Sequence, residues 1–329
     1  MRLSNAGTWL KNQLYAHALE RLETPPPCLW SKGISRHCDT KGPETYWLDA
    51  TESVQSDAFF KRHFSGAHGL VWVRLGSRAR DGLPCDLDAF VRAALPTIDK
   101  PFALITTDGD VSVPSDLPRD TVDRLLECPF LISWHTQNHD GYAHAKLAPI
   151  PIGLDLHTPR FPTSPHRLVS RLRKIAKNRP PPDRLPLKVL CDLGVSLASE
   201  ERQMAVASLR GCDHVTFLDQ RISQTAIWKH YAGHPFVLSA EGNGLDCHRS
   251  WELLYLGCIV ITKRSSLDPL FDDLPVVSIE DWNAVRDRAN LVEWLQRYAP
   301  LTGQERIWQR LQPDNYLKPI RQALAAAQR

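Results

Sequence analysis

The chain alternates short apolar runs with stretches whose apolar residues recur at helical spacing. In the first half, GLVWVRL (69–75), FALITT (102–107) and PFLISWHT (129–136) have the length and the β-branched and aromatic content of buried strands. Between them, LDAFVRAAL (87–95) and DTVDRLLE (120–127) read as helices, with Asp120 placed to cap the second. KLAPIPIGLD (146–155) reads as a strand-like loop shaped by Pro149, Pro151 and Gly153. The second half repeats the grammar. Strands are predicted at 187–195, 214–219, 234–240, 258–263 and 276–281. Helices are predicted at 199–209, 223–233, 245–257, 280–298 with a break near Ala289, 303–311 and 317–329.

Strand–helix alternation of this kind predicts an α/β fold with parallel sheets. The segment KNRPPPDRLP (177–186) interrupts it, because consecutive prolines favour an extended connector. The expected organisation is two doubly wound, Rossmann-like domains, 1–180 and 181–329, facing across a cleft. Ligands of such sheets sit outside the carboxyl ends of the strands. The N-terminal 23 residues read as an amphipathic helix, with Trp9, Leu10, Gln13, Leu14, Ala18 and Leu22 near one face. That face suits packing, or else peripheral contact with a membrane.

Composition narrows the class. With 43% hydrophobic and 23% charged residues in 329, the chain is globular in character. A net charge of +3 is too small to point to nucleic acid, but suits an anionic small ligand if the cations converge. No apolar run approaches the roughly 20 residues of a membrane span. The eight cysteines are dispersed with no CxxC pair, and no signal-peptide core precedes them. Free thiols and a cytoplasmic location are expected. Cys28, His37 and Cys38 lack the further ligands that a zinc site needs.

The chemically informative stretch runs from 236 to 282. Gly242-Asn243-Gly244 follows a buried strand and precedes a helix. Glycines there let backbone approach a ligand, and the new helix offers free N–H groups and a positive dipole end, which suit a phosphate. Asp246 and His248 open the helix, and His248 is a candidate donor to a phosphate or a sugar. Arg249 has the fork to neutralise a diphosphate. Glu252, three residues on, can accept the hydroxyls of a ribose. An Arg–Glu pair at this spacing also occurs as a plain solvated helix pair. Arg202 and Lys263 belong to segments that end at the same sheet edge and are further candidate cations for the donor. The GxGxxG and GxxxxGK[ST] patterns are absent, which weakens dinucleotide-dehydrogenase and P-loop readings.

The run GNGLDCHRSWELLYLGCIVIT, followed by DLPVVSIEDW, resembles the donor-binding half of exostosin-like glycosyltransferases. The likeness rests on Arg249, Glu252 and Gly257-Cys258-Ile259, and departs from the family at Val260, where proline is usual. LITTDGDVSVP, ISWHTQN and KLAPIPIGLD resemble the other half of small bacterial and viral members. The resemblance implies a GT-B fold, a nucleotide-sugar donor such as a UDP-sugar, a glycan or other hydroxyl acceptor, and transfer with inversion. It implies no resident cofactor and no metal, because GT-B enzymes manage the leaving diphosphate with cations and helix dipoles.

An inverting transferase needs a general base. Asp108 and Asp110, following the strand at 102–107, are the first candidates, and His135 is a rival. The Asp-Gly-Asp sequence also reads as a plain polar turn. Trp134, Gln137 and Asn138 offer an aromatic face and amides to an acceptor sugar. A glycan- or nucleotide-binding module without catalysis, and a sugar-nucleotide epimerase, are the alternatives.

Overall fold

The computed structural model describes residues 28–49, 53–76, 85–158, 163–195 and 199–327. The predicted N-terminal amphipathic helix lies outside these residues. The chain divides into two compact units, one running to Leu168 and resumed from Gln312, the other Val169–Leu311. This differs from a division at 180/181: residues 169–180 join the second unit, and the last helix, Pro313–Ala327, joins the first.

Each unit is α/β with one parallel sheet. In the first, β1 (Gly69–Arg74), β2 (Phe102–Thr107), β3 (Leu131–Thr136) and β4 (Leu147–Pro149) lie side by side in chain order. Helices cover both faces, so the strands read as unbroken apolar runs. Leu70, Val71, Trp72 and Val73 are all fully buried. Helix Asp86–Ala93 packs on β1, and helix Pro313–Ala327 packs against β1, β2 and β3. An aromatic cluster of Tyr46, Phe60, Phe64 and Phe90 fills the space beside helix Asp57–Phe64, with edge-on pairs such as Tyr46–Phe60 at 6.0 Å. Ser56 caps that helix by accepting from the Phe59 N–H. Asp120 is not a cap: Pro118 takes that position, and Asp120 lies in the first turn of Arg119–Glu127, where its charge meets the positive dipole end.

The second unit has strand order β6–β5–β7–β8–β9, with β5 at Val189–Cys191, β6 at Val215–Phe217, β7 at Phe236–Leu238, β8 at Ile259–Lys263 and β9 at Val276–Ile279. All neighbours are parallel. The order reverses between β5 and β7, so the connections leaving these two strands part to opposite sides and open a crevice at their carboxyl ends. Val189, Cys191, Phe236, Leu238, Ile259 and Ile261 form the centre of the core. Ser199 and Ser223 cap helices Glu200–Leu209 and Gln224–Ala232. The predicted break in 280–298 falls at Asp287, which caps helix Arg288–Tyr298 by accepting from the Ala289 N–H. The last of the three prolines opens a single 3-10 turn, Pro182–Arg184. Among the described residues no helix is long and apolar enough to cross a membrane, and all eight cysteines are free.

Gly257 ends helix His248–Leu256 in the left-handed region, at φ 79°. An added Cβ would lie 3.1 Å from the Thr302 carbonyl. Gly257→Ala should therefore lower unfolding free energy by about 1–2 kcal/mol, the usual left-handed penalty. Denaturant unfolding measures it, and an unchanged midpoint would contradict the cap.

Candidate functional site

The crevice of the second unit is built by the loops after β5 and β7. Asp192 follows β5 directly and is 4% exposed. Its Oδ2 accepts from the Tyr231 hydroxyl at 2.7 Å and faces Arg249 Nη2 at 3.3 Å. Burial is the largest influence on Arg249 and would lower its pKa, but Asp192, Tyr231 and Cys247 together raise it and keep the guanidinium charged. Burial also pushes the Tyr231 hydroxyl well up, so it stays a donor. Two atoms of this cluster are buried without a partner: Arg249 Nη1 and Asp192 Oδ1. A buried N–H of a guanidinium left unpaired is costly, so a group able to accept from it gains on arrival.

The loop Ser239–Cys247 that carries Gly242 is braced from below. Arg202 Nε donates to the Glu241 carbonyl at 2.8 Å, and Ser199 Oγ donates to the same oxygen at 2.9 Å. A Cβ on Gly242 would meet Arg202 Nη2 at 2.9 Å, so a larger residue there would displace the end of this guanidinium. The Gly242 N–H closes the turn on the Gly244 carbonyl at 3.0 Å, and Asn243 stands exposed at its tip. Arg202, at 9% exposure, is thus a brace of the loop. Cys247 heads helix His248–Leu256 without a side-chain cap, and its thiol donates back to the Ala240 carbonyl. The first N–H groups of that helix therefore receive nothing from the Cys247 side chain, although the Ser250 N–H donates to the Cys247 carbonyl at 3.0 Å.

Asp246 accepts from Trp251 Nε1 at 2.7 Å and fixes the loop to the helix. Glu252 is 6% exposed and does not pair with Arg249; its Oε2 accepts from Trp228 Nε1 and Gln224 Nε2, each at 2.9 Å. This ties helix Gln224–Ala232 to helix His248–Leu256. His248 is partly buried at the helix start. Lys263 donates to the Glu280 carbonyl and joins the ends of β8 and β9. The structure thus brings Gly242, Asn243, Gly244, Asp246, His248, Arg249 and Arg202 to one edge. It adds Asp192 and Tyr231, which the sequence reading missed. The available signal was position: Asp192 is the first polar residue after the first strand of the unit.

In the first unit, the equivalent edge is packed with buried polar groups, of which Asp108 Oδ2 and Arg74 Nη1 have no hydrogen-bond partner. Asp108, at φ 65°, is 4% exposed, and its Oδ2 lies 3.3 Å from Lys32 Nζ, itself buried. Gln137 accepts from the Asp108 N–H at 2.9 Å and donates to the Gly109 carbonyl, which also accepts from Asn138 Nδ2 at 3.0 Å. Trp134 Nε1 donates to Thr106 Oγ1 inside the sheet. Trp134, Gln137 and Asn138 are thus interior side chains, buried away from an acceptor, and the two amides hold the turn 107–110. Neighbouring Arg74 is clamped by Asp86 at 2.7 Å, below the ring of Tyr46. His135 is partly buried, near Ser133 Oγ, and desolvation takes its pKa down to about 4. Asp110 is only half-buried, which makes it the more accessible carboxylate of the turn.

No protein-family model matches the chain, and no curated protein matches it. Solved structures with a similar course of chain include an OtsA apo structure, at 9% identity and TM-score 0.44 over 78% of this chain and 73% of that one. A UDP-forming α,α-trehalose-phosphate synthase from Burkholderia vietnamiensis is similar at 12% identity and TM-score 0.42, over 83% and 77%. One from Burkholderia xenovorans is similar at 10% and 0.41, over 86% and 79%.

Two outcomes follow from the first unit. Asp108→Asn leaves the Lys32 ammonium buried without its counter-charge, which should cost about 3–5 kcal/mol of stability. Wild-type stability with lost turnover would instead make Asp108 the base. His135 has a folded pKa below its ordinary 6.5. Its neutral form is the folded one, so its contribution is full above 6.5 and is lost as pH falls towards 4. His135→Gln should flatten the stability loss in that window by up to about 3 kcal/mol; an unchanged acid limb would contradict the burial.

Proposed function

We propose that the chain is a glycosyltransferase of GT-B, exostosin-like type, taking a hexosyl or pentosyl group from a nucleoside-diphosphate sugar to a hydroxyl acceptor. The observation that carries this reading is Arg249. It is held charged at the β5–β7 crevice by Asp192, with Nη1 buried and unpartnered. A diphosphate oxygen accepts from that N–H, while the positive dipole end of helix His248–Leu256 favours the same charge. UDP is the nucleotide that the family resemblance favours. Gly242 and Gly244 admit the backbone to the ligand. Glu252 acts on the ribose only if donor binding draws it from Trp228; otherwise it ties two helices together.

Chemistry at the anomeric carbon requires the acceptor hydroxyl to lose its proton as the leaving diphosphate departs. Asp110 is the proposed base, because Asp108 is committed to Lys32 and His135 is too weakly basic at neutral pH. Charge on the departing diphosphate is met by Arg249 and the helix dipole, so the reaction is proposed to need no divalent metal.

Arg249→Ala should weaken nucleoside-diphosphate binding by about 1.5–3 kcal/mol, the size of a charge-assisted contact. Calorimetric titration measures it, and wild-type affinity in a folded variant would sink the donor site. Transfer should survive chelation; activity abolished by chelator and restored by manganese would reverse the metal-free reading and promote Asp108 and Asp110 to metal ligands.

A further inference from the structure

Among the described residues, one aromatic side chain is strongly exposed: Tyr142, at 44%. It lines a pocket of about 330 Å³ with Pro114, Leu117, Arg119, Val122 and Asp123. The pocket lies in the first unit, beside the loops that follow β2 and β3. These loops run together, with Val113 bridged to His139. The Val113 N–H donates to the Asn138 carbonyl, and the Asp140 N–H donates to that of Val113.

The ring is exposed but its backbone is fixed. Asp140 Oδ2 accepts from the Ser115 N–H at 2.8 Å and from Ser115 Oγ at 2.5 Å, and Asp140 Oδ1 accepts from the Tyr142 N–H at 3.0 Å. Gly141, at φ 99°, makes the bend that turns the ring outward. An exposed aromatic on a braced loop loses water-facing apolar area when a ligand covers it, and little chain entropy.

The rest of the lining states what covers it. Arg119 and Asp123 form an ion pair one helical turn apart, at 2.8 Å. Their charges cancel locally, so the pocket selects no net charge, yet it offers forked donors and carboxylate acceptors beside an apolar floor of Pro114, Leu117 and Val122. A flat ring with apolar C–H faces and a rim of hydroxyls satisfies all three features; an anion or a wholly apolar ligand satisfies only one.

We propose that this pocket binds a neutral saccharide, with Tyr142 stacked on a sugar ring and Arg119 and Asp123 holding its hydroxyls. Resting on the proposed transferase reading, it is the acceptor subsite, and it supplies the sugar contact that Trp134, Gln137 and Asn138, being interior, do not.

The test is saturation-transfer NMR on the whole chain with millimolar glucose, galactose, mannose, xylose, N-acetylglucosamine and their common disaccharides, without donor. At least one saccharide should show transfer to its ring protons. Tyr142→Ala should weaken it about tenfold, while Tyr142→Phe and Tyr142→Trp retain it, because the ring and not the hydroxyl makes the contact. Nucleoside-diphosphate affinity should be the same in all variants. Saccharide binding unchanged in Tyr142→Ala overturns the proposal. So does a panel that gives no transfer while nucleotide binds, or displacement by a proline-rich peptide with no saccharide bound. If saccharide binds through Tyr142 but nucleotide does not bind Arg249, the transferase reading falls and the saccharide site stands.

Discussion

A parallel sheet covered on both faces sends every strand into a loop at one edge, and that edge must satisfy its carbonyls and carboxylates with little water. Both units meet this constraint with buried cations. In the first, Lys32 and Arg74 answer Asp108 and Asp86. In the second, Arg202 answers the Glu241 carbonyl and Arg249 answers Asp192. The loops that carry candidate chemistry have their shape because these cations stand beneath them. Each edge keeps one buried donor and one buried acceptor atom without a hydrogen-bond partner, Arg74 Nη1 and Asp108 Oδ2 in the first and Arg249 Nη1 and Asp192 Oδ1 in the second. The edges differ in their course of chain: at the first the turn 107–110 is crossed by Gln137 and Asn138 and closed, whereas at the second strand order reverses between β5 and β7.

The strands, and most helices of the second unit, were legible because their apolar runs and caps are strong. VLC, FVL and IVIT cannot be exposed, and Ser199, Ser223 and Gly257 mark helix limits by their own chemistry. Helix Pro165–Lys177 was not read: its basic residues and the adjoining triple proline mask a narrow apolar stripe of Leu168, Val169, Leu172 and Ala176. The grouping of helix Pro313–Ala327 with the first unit was not legible either, since nothing local says which sheet a terminal amphipathic helix covers.

For the site, residue type and spacing found the Gly-Asn-Gly loop and Arg249 but not their partners. Arg249 and Glu252 look like a pair on the helix, yet each is taken by another element: Asp192 after β5, and Trp228 on helix Gln224–Ala232. Partner choice is decided by strand order, which spacing along one segment does not encode. The same holds for Gln137 and Asn138. Their amides suit sugar hydroxyls in isolation, and only the close passage of the β2 and β3 loops turns them inward onto the Gly109 carbonyl.

The central claim is that the β5–β7 crevice of the second unit takes a nucleoside diphosphate through Arg249. Amide hydrogen exchange with and without UDP tests it most directly, because it reports position as well as binding. The account predicts slower exchange in the loop Ser239–Cys247, at the start of helix His248–Leu256 and in the turn after Asp192, with no change at the carboxyl ends of β8 and β9. Protection confined to other segments, or none at saturating nucleotide, would contradict it.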